Sequence, residues 1–569
     1  MNKKFLAGLL ACAMSLSLAA CGSDKPAQSL PEGPVEVPAY EQAAQGEHGV
    51  VAAADPVAAD VGLQILKQGG NAADAAIATA FALGLTENAA SGIGGSGFML
   101  YYDAGENKTY ALDYYFACPD AMVNTDFKDA SETRNKGLGG MRAVVPGFVR
   151  GMEKANEMFS TMTFAELIEP TIRMAENGVP VSAFMAETYR DYYERIMAYP
   201  ETERVFTDDG LPYGEGSIFK NPDLANTLRI IAEKGGDGFY TGEVAEAIVN
   251  SQRATGSKMT LEDLAKYEAV VSQPLTSTYR GYKIVTLPPV SGGGVVLSNL
   301  NLAEHFDMAS IPWGSTEYLH TWGEVMRLAN SDFTTYFEDP AMYPHVMPAV
   351  RGMITKEYAA ERIKLFSPTK TMSIGPVGSP AEHDPESHTT HLAVVDKDGN
   401  ICTMTNTNGD FFGTLTTVTD CGFVIENTTA FSGGNTYVPE PGKRARSPMS
   451  PTIIFNEDGT PFAAVGTPGS GRIVNTIALI ISNMIDYGMP LKEAVDATRL
   501  HQARNDNLTL EGGFDESVVA ELEKLGHEVT VRVANDSFFG GAHCIAIDPD
   551  TGMRYGAADS RRSGVAAAY

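Results

Sequence analysis

Apolar residues follow two patterns in this chain, and the change comes near residue 389. Before it, apolar positions recur mostly at helical spacing. Asp55-Pro56 opens one predicted helix and Gly69-Gly70 closes it, with proline early and glycine late. Asn71 caps a second, running to about Leu85. It is built almost wholly of Ala, Ile, Phe and Leu, so it is predicted to be buried on all sides. The glycine-rich run from Ser91 to Gly97 then leads into predicted strands at 98–103 and 109–115, with a turn at Gly105-Glu106-Asn107. That run lacks the Gly-Lys-Ser/Thr ending of a phosphate loop, so close backbone packing is its expected role. From Pro146 to about Phe306 the pattern is mainly helical. Thr260 and Asp263 are spaced as a capping box, and a strand is expected at 282–287.

Beyond 389 the pattern becomes α+β. Residues 391–395 and 401–407 alternate as a hairpin around Asp396-Lys397-Asp398-Gly399. Strands are expected at 422–427 and 461–465. Gly466-Thr467-Pro468-Gly469-Ser470-Gly471 then turns into a long helix from about 472 to 485. Such a turn either exposes backbone N–H groups able to hold an oxyanion or is an ordinary tight connection. At the junction of the two regimes stands Ser387-His388-Thr389-Thr390-His391. If the chain cuts itself between His388 and Thr389, the Thr389 hydroxyl becomes a nucleophile. Its own freed α-amine, titrating near ~8, becomes the base. A Thr-Thr pair is otherwise an ordinary β-branched strand element.

Length and composition narrow the class. The chain has 569 residues, 44% hydrophobic and 20% charged, which are globular values. Its formal net charge of −29 argues against nucleic-acid binding, which needs a basic surface. Lys3 and Lys4, an apolar stretch at 5–18 and Leu18-Ala19-Ala20-Cys21 read as a lipoprotein signal. Residues 1–20 are then the signal peptide, Cys21 the lipidated first residue and 21–45 a flexible linker. The protein is expected to be exported and lipid-anchored on the outer face of a bacterial membrane. Of the remaining cysteines, Cys402 and Cys421 form a disulfide or are buried free thiols. His383, His388 and His391 cluster without carboxylate or cysteine ligands at useful spacing, so no metal is expected.

The runs Ile65-Leu66-Lys67-Gln68-Gly69-Gly70-Asn71-Ala72-Ala73-Asp74, Gly92 to Met99, Tyr279-Arg280-Gly281-Tyr282, Thr389-Thr390-His391, Ser450-Pro451-Thr452-Ile453 and Gly466 to Arg472 occur in this order. Together the chain resembles the γ-glutamyltransferase family of N-terminal-nucleophile hydrolases over roughly 48–569. The resemblance implies an α+β, four-layer αββα sandwich and autocleavage into a large subunit (46–388) and a small one (389–569). It implies no cofactor and a small amide or peptide substrate, with water or an amine as acceptor. It makes Thr389 the nucleophile and Thr407 its hydroxyl support. The oxyanion N–H groups fall to Gly469 and Ser470, where the family usually has two glycines.

The departures concern specificity. Tyr115 stands at the family's carboxylate-binding arginine and Ala430 at its amine-binding aspartate. Gly409 replaces an asparagine two residues past Thr407, and Ser447-Pro448 replaces a Ser-Ser pair. Losing one charged hydrogen-bond partner costs roughly 1.5–3 kcal/mol, so the γ-glutamyl clamp is expected to be dismantled while the acyl-transfer residues persist. Arg446 is either a replacement cation or a solvated loop residue. Three functions follow: a γ-glutamyltransferase or glutathione hydrolase; an acylase for a non-glutamyl amide, resembling cephalosporin acylases or capsule-processing transpeptidases; or an uncleaved, inactive binding lipoprotein.

Overall fold

Two seven-stranded antiparallel sheets organise the chain. The computed structural model describes residues 33–123, 139–372, 389–428, 438–502 and 507–569, with nothing said of the side chains of 333–336. The expectations on Cys21, His383, His388 and Ala430 lie outside the described residues. The first sheet runs Val565–Ala568, Val50–Ala53, Thr389–Val395, Ile401–Thr407, Ser96–Asp103, Lys108–Tyr114 and Val270–Ser272. The second runs Ala43–Gly46, Arg554–Ala558, His543–Ile547, Pro461–Val465, Thr452–Phe455, Tyr282–Thr286 and Leu275–Tyr279.

Alternation along the strands makes the layers. Leu392, Val394, Cys402 and Met404 of the first sheet pack in one core with the helices Pro56–Lys67 and Ala72–Thr86. Ala393, Val395, Phe98 and Leu100 point the other way. They share a second core with Ile453 and Ala464 of the facing sheet and with the helices Gly293–Ala303 and Ile473–Ile485. The order helix, sheet, sheet, helix is the expected αββα sandwich. Residues before and after 389 alternate within both sheets. A cut at 388/389 therefore leaves each part hydrogen-bonded to the other along several strands.

Local signals hold where they are strong. Asp55 accepts from the N–H groups of Val57 and Ala58, and Asn71 forms a capping box with Asp74. Thr260 and Asp263 cap Leu261–Ala265 as expected. The glycine run packs closely, for a Cβ on Gly95 would lie 2.3 Å from the Thr407 carbonyl oxygen.

Two expectations are corrected. Residues 422–427 form no strand. Asp420 and Gly422 both take positive φ, and the segment makes only isolated bridges from Val424 and Asn427. The linker predicted at 21–45 ends earlier. Val35 N–H donates to Gly178 O, Tyr40 Oη donates to Asp60, and Ala43–Gly46 pairs as an edge strand with residues 554–557. The helix expected after the Gly466 turn is present as Ile473–Ile485, preceded by a 3₁₀ turn at Ser470–Arg472. Of the two cysteine readings, free thiols hold: Cys402 and Cys421 are buried and unbridged.

Candidate active site

Strand register builds the site. Thr389 pairs directly with Thr407, and Thr407 in turn with Ser96. The next strand ends with Tyr114 opposite Gly97, which brings Tyr115 alongside Ser96. Directly paired residues share a face. Thr389, Thr407, Ser96 and Tyr115 thus form one row across the end of the first sheet, facing the second. His391, two residues along, lies on the same face. A Cβ on Gly466 would sit 2.0 Å from its Cε1, so the turn that starts at Gly466 rests on the strand headed by Thr389.

The strand Thr389–Val395 outruns one of its neighbours. It pairs with Ile401–Thr407 along its whole length, but with Val50–Ala53 only from Leu392 onward. Side chains serve the overhang. The Arg562 guanidinium donates to the Thr389 carbonyl at 3.2 Å, and Thr390 Oγ1 donates to Glu87 Oε2 at 2.6 Å. Burial pushes the Glu87 carboxyl up to about 7, against the pull of the Thr390 hydroxyl and of Arg562. Thr407 Oγ1 accepts the Gly409 N–H at 2.9 Å. The His391 ring nitrogens meet Thr405 Oγ1 at 2.8 Å and Thr403 Oγ1 at 3.1 Å, and burial lowers the pKa of the ring. Committed to these hydroxyls, His391 is no metal ligand. Among the described residues no cluster of His, Cys, Asp or Glu could hold a metal ion.

The Gly466–Gly471 turn is braced from behind. Gly469 takes φ +130° and Ser470 φ +53°. The left-handed conformation suits Ser470 less than a glycine, at a cost of roughly 1 kcal/mol. Thr467 Oγ1 accepts the Gly541 N–H at 3.1 Å, and Arg472 Nε donates to Phe538 O at 2.9 Å. A Cβ on Gly541 would lie 2.5 Å from Arg562 Cδ. The arginine that holds the Thr389 carbonyl and the turn that carries Gly469 and Ser470 therefore share one wall. Behind that wall Asp559 bonds Arg499 at 2.6 Å and Arg561 at 2.9 Å and accepts the Ala542 N–H. These partners hold its carboxyl far below the usual carboxylate range.

The substrate-binding candidates divide. Tyr115 stacks on Phe98 at 5.1 Å and touches Phe116 at 4.4 Å, and the Ser447 hydroxyl acts on its phenol, so the arginine and Ser-Ser positions lie near each other. Gly409 has φ +83°, and a Cβ there would fall 2.1 Å from the Asn427 carbonyl oxygen, which leaves no room for an asparagine. Arg446 is half-buried, next to Ser447. Sequence reasoning missed Arg444, whose Nε lies 3.8 Å from Asp113 and 3.3 Å from Tyr115 O. It also missed Glu87, Arg562 and Glu426. A lone acid ending Phe423-Val424-Ile425 was a usable signal for Glu426; Arg562, in a surface-like Ser-Arg-Arg-Ser run, gave none.

Comparison with known proteins places this geometry among relatives. The family model described as Gamma-glutamyltranspeptidase matches residues 58–569. The glutathione hydrolase proenzyme of Bacillus subtilis (strain 168) is 33% identical, over 93% of this chain and 92% of its own. The acylase ACY 1 proenzyme of Pseudomonas sp. (strain SE83) is 31% identical, over 92% of this chain and 93% of its own. The crystal structure of cephalosporin acylase from Bacillus halodurans superposes with a TM-score of 0.82 at 28% identity, covering 95% of this chain and 99% of that one.

Glu87 generates a pH prediction. A carboxyl held at about 7 in the fold, against an ordinary 4.5, favours the folded state below pH 4.5 and loses that contribution as pH rises through 7. Glu87→Gln removes the titration. The stability of the variant relative to the parent should rise by up to about 3 kcal/mol between pH 4.5 and 7.5, read from urea unfolding. A pH-independent difference refutes the raised value.

Proposed function

The chain belongs to the γ-glutamyltranspeptidase family, and on that premise we propose that it is a proenzyme that cuts itself before Thr389 and then works through an acyl-enzyme on that residue. An enzyme of this hydrolase and acyltransferase class needs a nucleophile, a base and an oxyanion site. The observation that carries the assignment is the register that heads a strand with Thr389, opposite Thr407 and beneath the Gly466–Gly471 turn.

In self-cleavage, the Thr389 hydroxyl attacks the His388 carbonyl carbon. The peptide C–N bond breaks, the proton passes to the new amine, and water hydrolyses the resulting ester. In turnover, the freed α-amine takes the Thr389 hydroxyl proton as the oxygen attacks the substrate amide carbon. The backbone N–H groups of Gly469 and Ser470 receive the negative oxygen. The amine leaves with the proton, and water or a second amine releases the acyl group. Thr407 supports the nucleophile, and Arg562 fixes its carbonyl. The cut chain is then a heterodimer of 46–388 and 389–569. In the mature protein, Cys21 carries the lipid that anchors it to the outer face of a membrane.

The acyl group is a non-glutamyl one. Tyr115, stacked on Phe98, offers no cation to an α-carboxylate, and the backbone excludes an asparagine at 409.

Three measurements test this. Thr389→Ala should leave the chain whole, with activity below about one thousandth of the parent; the small fragment of the parent should begin Thr-Thr-His-Leu and should part from the large one only in denaturant. A parent that stays whole supports the inactive binding lipoprotein instead. kcat/KM for glutathione should fall well below roughly 10⁴ M⁻¹s⁻¹ and below that of an acyl-amide of similar size without the α-carboxylate. Activity above that value, with glutathione preferred, restores the γ-glutamyl reading. Cys21→Ser should move the protein out of the membrane fraction, and unchanged fractionation refutes the anchor.

A further inference from the structure

Glu426 is fully buried, and both of its carboxyl oxygens, like the hydroxyl of neighbouring Ser96, lack a hydrogen-bond partner among the described residues. Such a group is costly to keep, and few native ones lack a reason. Its backbone is fixed: Glu426 N–H donates to Gly94 O, and its carbonyl accepts the Val144 N–H. Burial holds the carboxyl well above the usual carboxylate range. The Ser96 hydroxyl beside it draws it back. The charge of Glu426 also acts on the Tyr115 phenol. Glu426 therefore sits against the third and fourth members of the row that begins with Thr389 and Thr407. Arg444, the cation beside Tyr115, directs its donors to Asp113 and to the carbonyls of Tyr115 and Glu268.

We propose that Glu426 is the specificity-determining residue of the acyl pocket and that it receives a primary ammonium at the far end of an acyl chain that carries no carboxylate. The proposal rests on the acyl-enzyme reading of Thr389. The distances agree. Ser96 lies two strand spacings from Thr389, about 10 Å. A 4-aminobutyryl chain extends about 5 Å from its carbonyl carbon, and the threonine side chain and one hydrogen bond fill the rest. An arriving ammonium gives both orphaned oxygens a donor and stabilises the ionised carboxylate. A chain ending in a carboxylate meets like charge instead, and a plain alkyl chain leaves the oxygens unpaired.

The test compares the p-nitroanilides of 4-aminobutyrate, butyrate, glutarate and γ-glutamate on the processed protein. The 4-aminobutyryl compound should lead in kcat/KM by at least about tenfold. Glu426→Gln should reduce that lead to about threefold or less while still cleaving itself before Thr389. Leadership by the butyryl, glutaryl or γ-glutamyl compound overturns the proposal, as does a lead that survives in Glu426→Gln. If Glu426→Gln does not fold, the order of the four compounds on the parent protein decides. A processed protein that cleaves none of them refutes the acyl-transfer reading. Calorimetry with 4-aminobutyramide then decides on Glu426: binding that Glu426→Gln loses upholds the ammonium site, and no binding overturns it.

Discussion

The first three residues of Thr389–Val395 are paired on one side only, because Val50–Ala53 starts its ladder at Leu392. Buried backbone polar groups need partners, so the overhang must find them off the sheet. Arg562 answers for the Thr389 carbonyl, and Glu87 anchors the strand through the Thr390 hydroxyl. Had the neighbouring strand run on, Thr389 would be locked in the middle of a ladder. Any rearrangement at the peptide bond before Thr389 would have had to break sheet hydrogen bonds. The short neighbour leaves that end open, and two buried side chains keep it ordered.

The cost of this solution is buried charge, and the molecule handles it collectively. Arg562 is buried beside Glu87, and its stem lies against Gly541. The loop through Gly541 is in turn gripped by Asp559, Arg499 and Arg561, with Glu511 pairing Arg561 at 2.5 Å. Removing one member of such a cluster strands the others in low dielectric, so it resists piecemeal change even where its net stabilisation is small. The result is a rigid support for the Thr467–Ser470 backbone, whose left-handed residues need a surround that overdetermines them.

What could be read from the chain alone was local. Helix caps at Asp55 and Asn71, the hairpin after Thr389 and the tight glycine packing each depend on residues a few positions apart. The errors came where distant chain decides. Residues 43–46 look like linker until the strand from Arg554 supplies their partners. Residues 422–427 have strand composition, but the positive φ of Asp420 and of Gly422 at its start turns the segment away from a continuous ladder. The row of site residues was half legible. Thr389, Thr407 and Tyr115 could be placed through family resemblance, while Ser96 joins them through strand order and Glu426 through its backbone hydrogen bond to Gly94.

That row also separates two tasks that share one surface. The end nearest Thr389 holds what self-cleavage and acyl transfer need: the hydroxyl, its neighbour on the next strand and the backbone turn above. The far end, Ser96 and Tyr115 with Glu426 against them, is the part that the proposed reading gives to recognition. On that reading, substitution there alters the choice of acyl group and leaves the presentation of Thr389 alone. At 409 the division is enforced by geometry, because the Asn427 carbonyl occupies the space that a side chain would need. A return to the family's asparagine would require the 427 backbone to move first. Specificity in this chain is thus tied to a backbone course, not only to side chains, and the nearby relatives named for different substrates are what such a division allows.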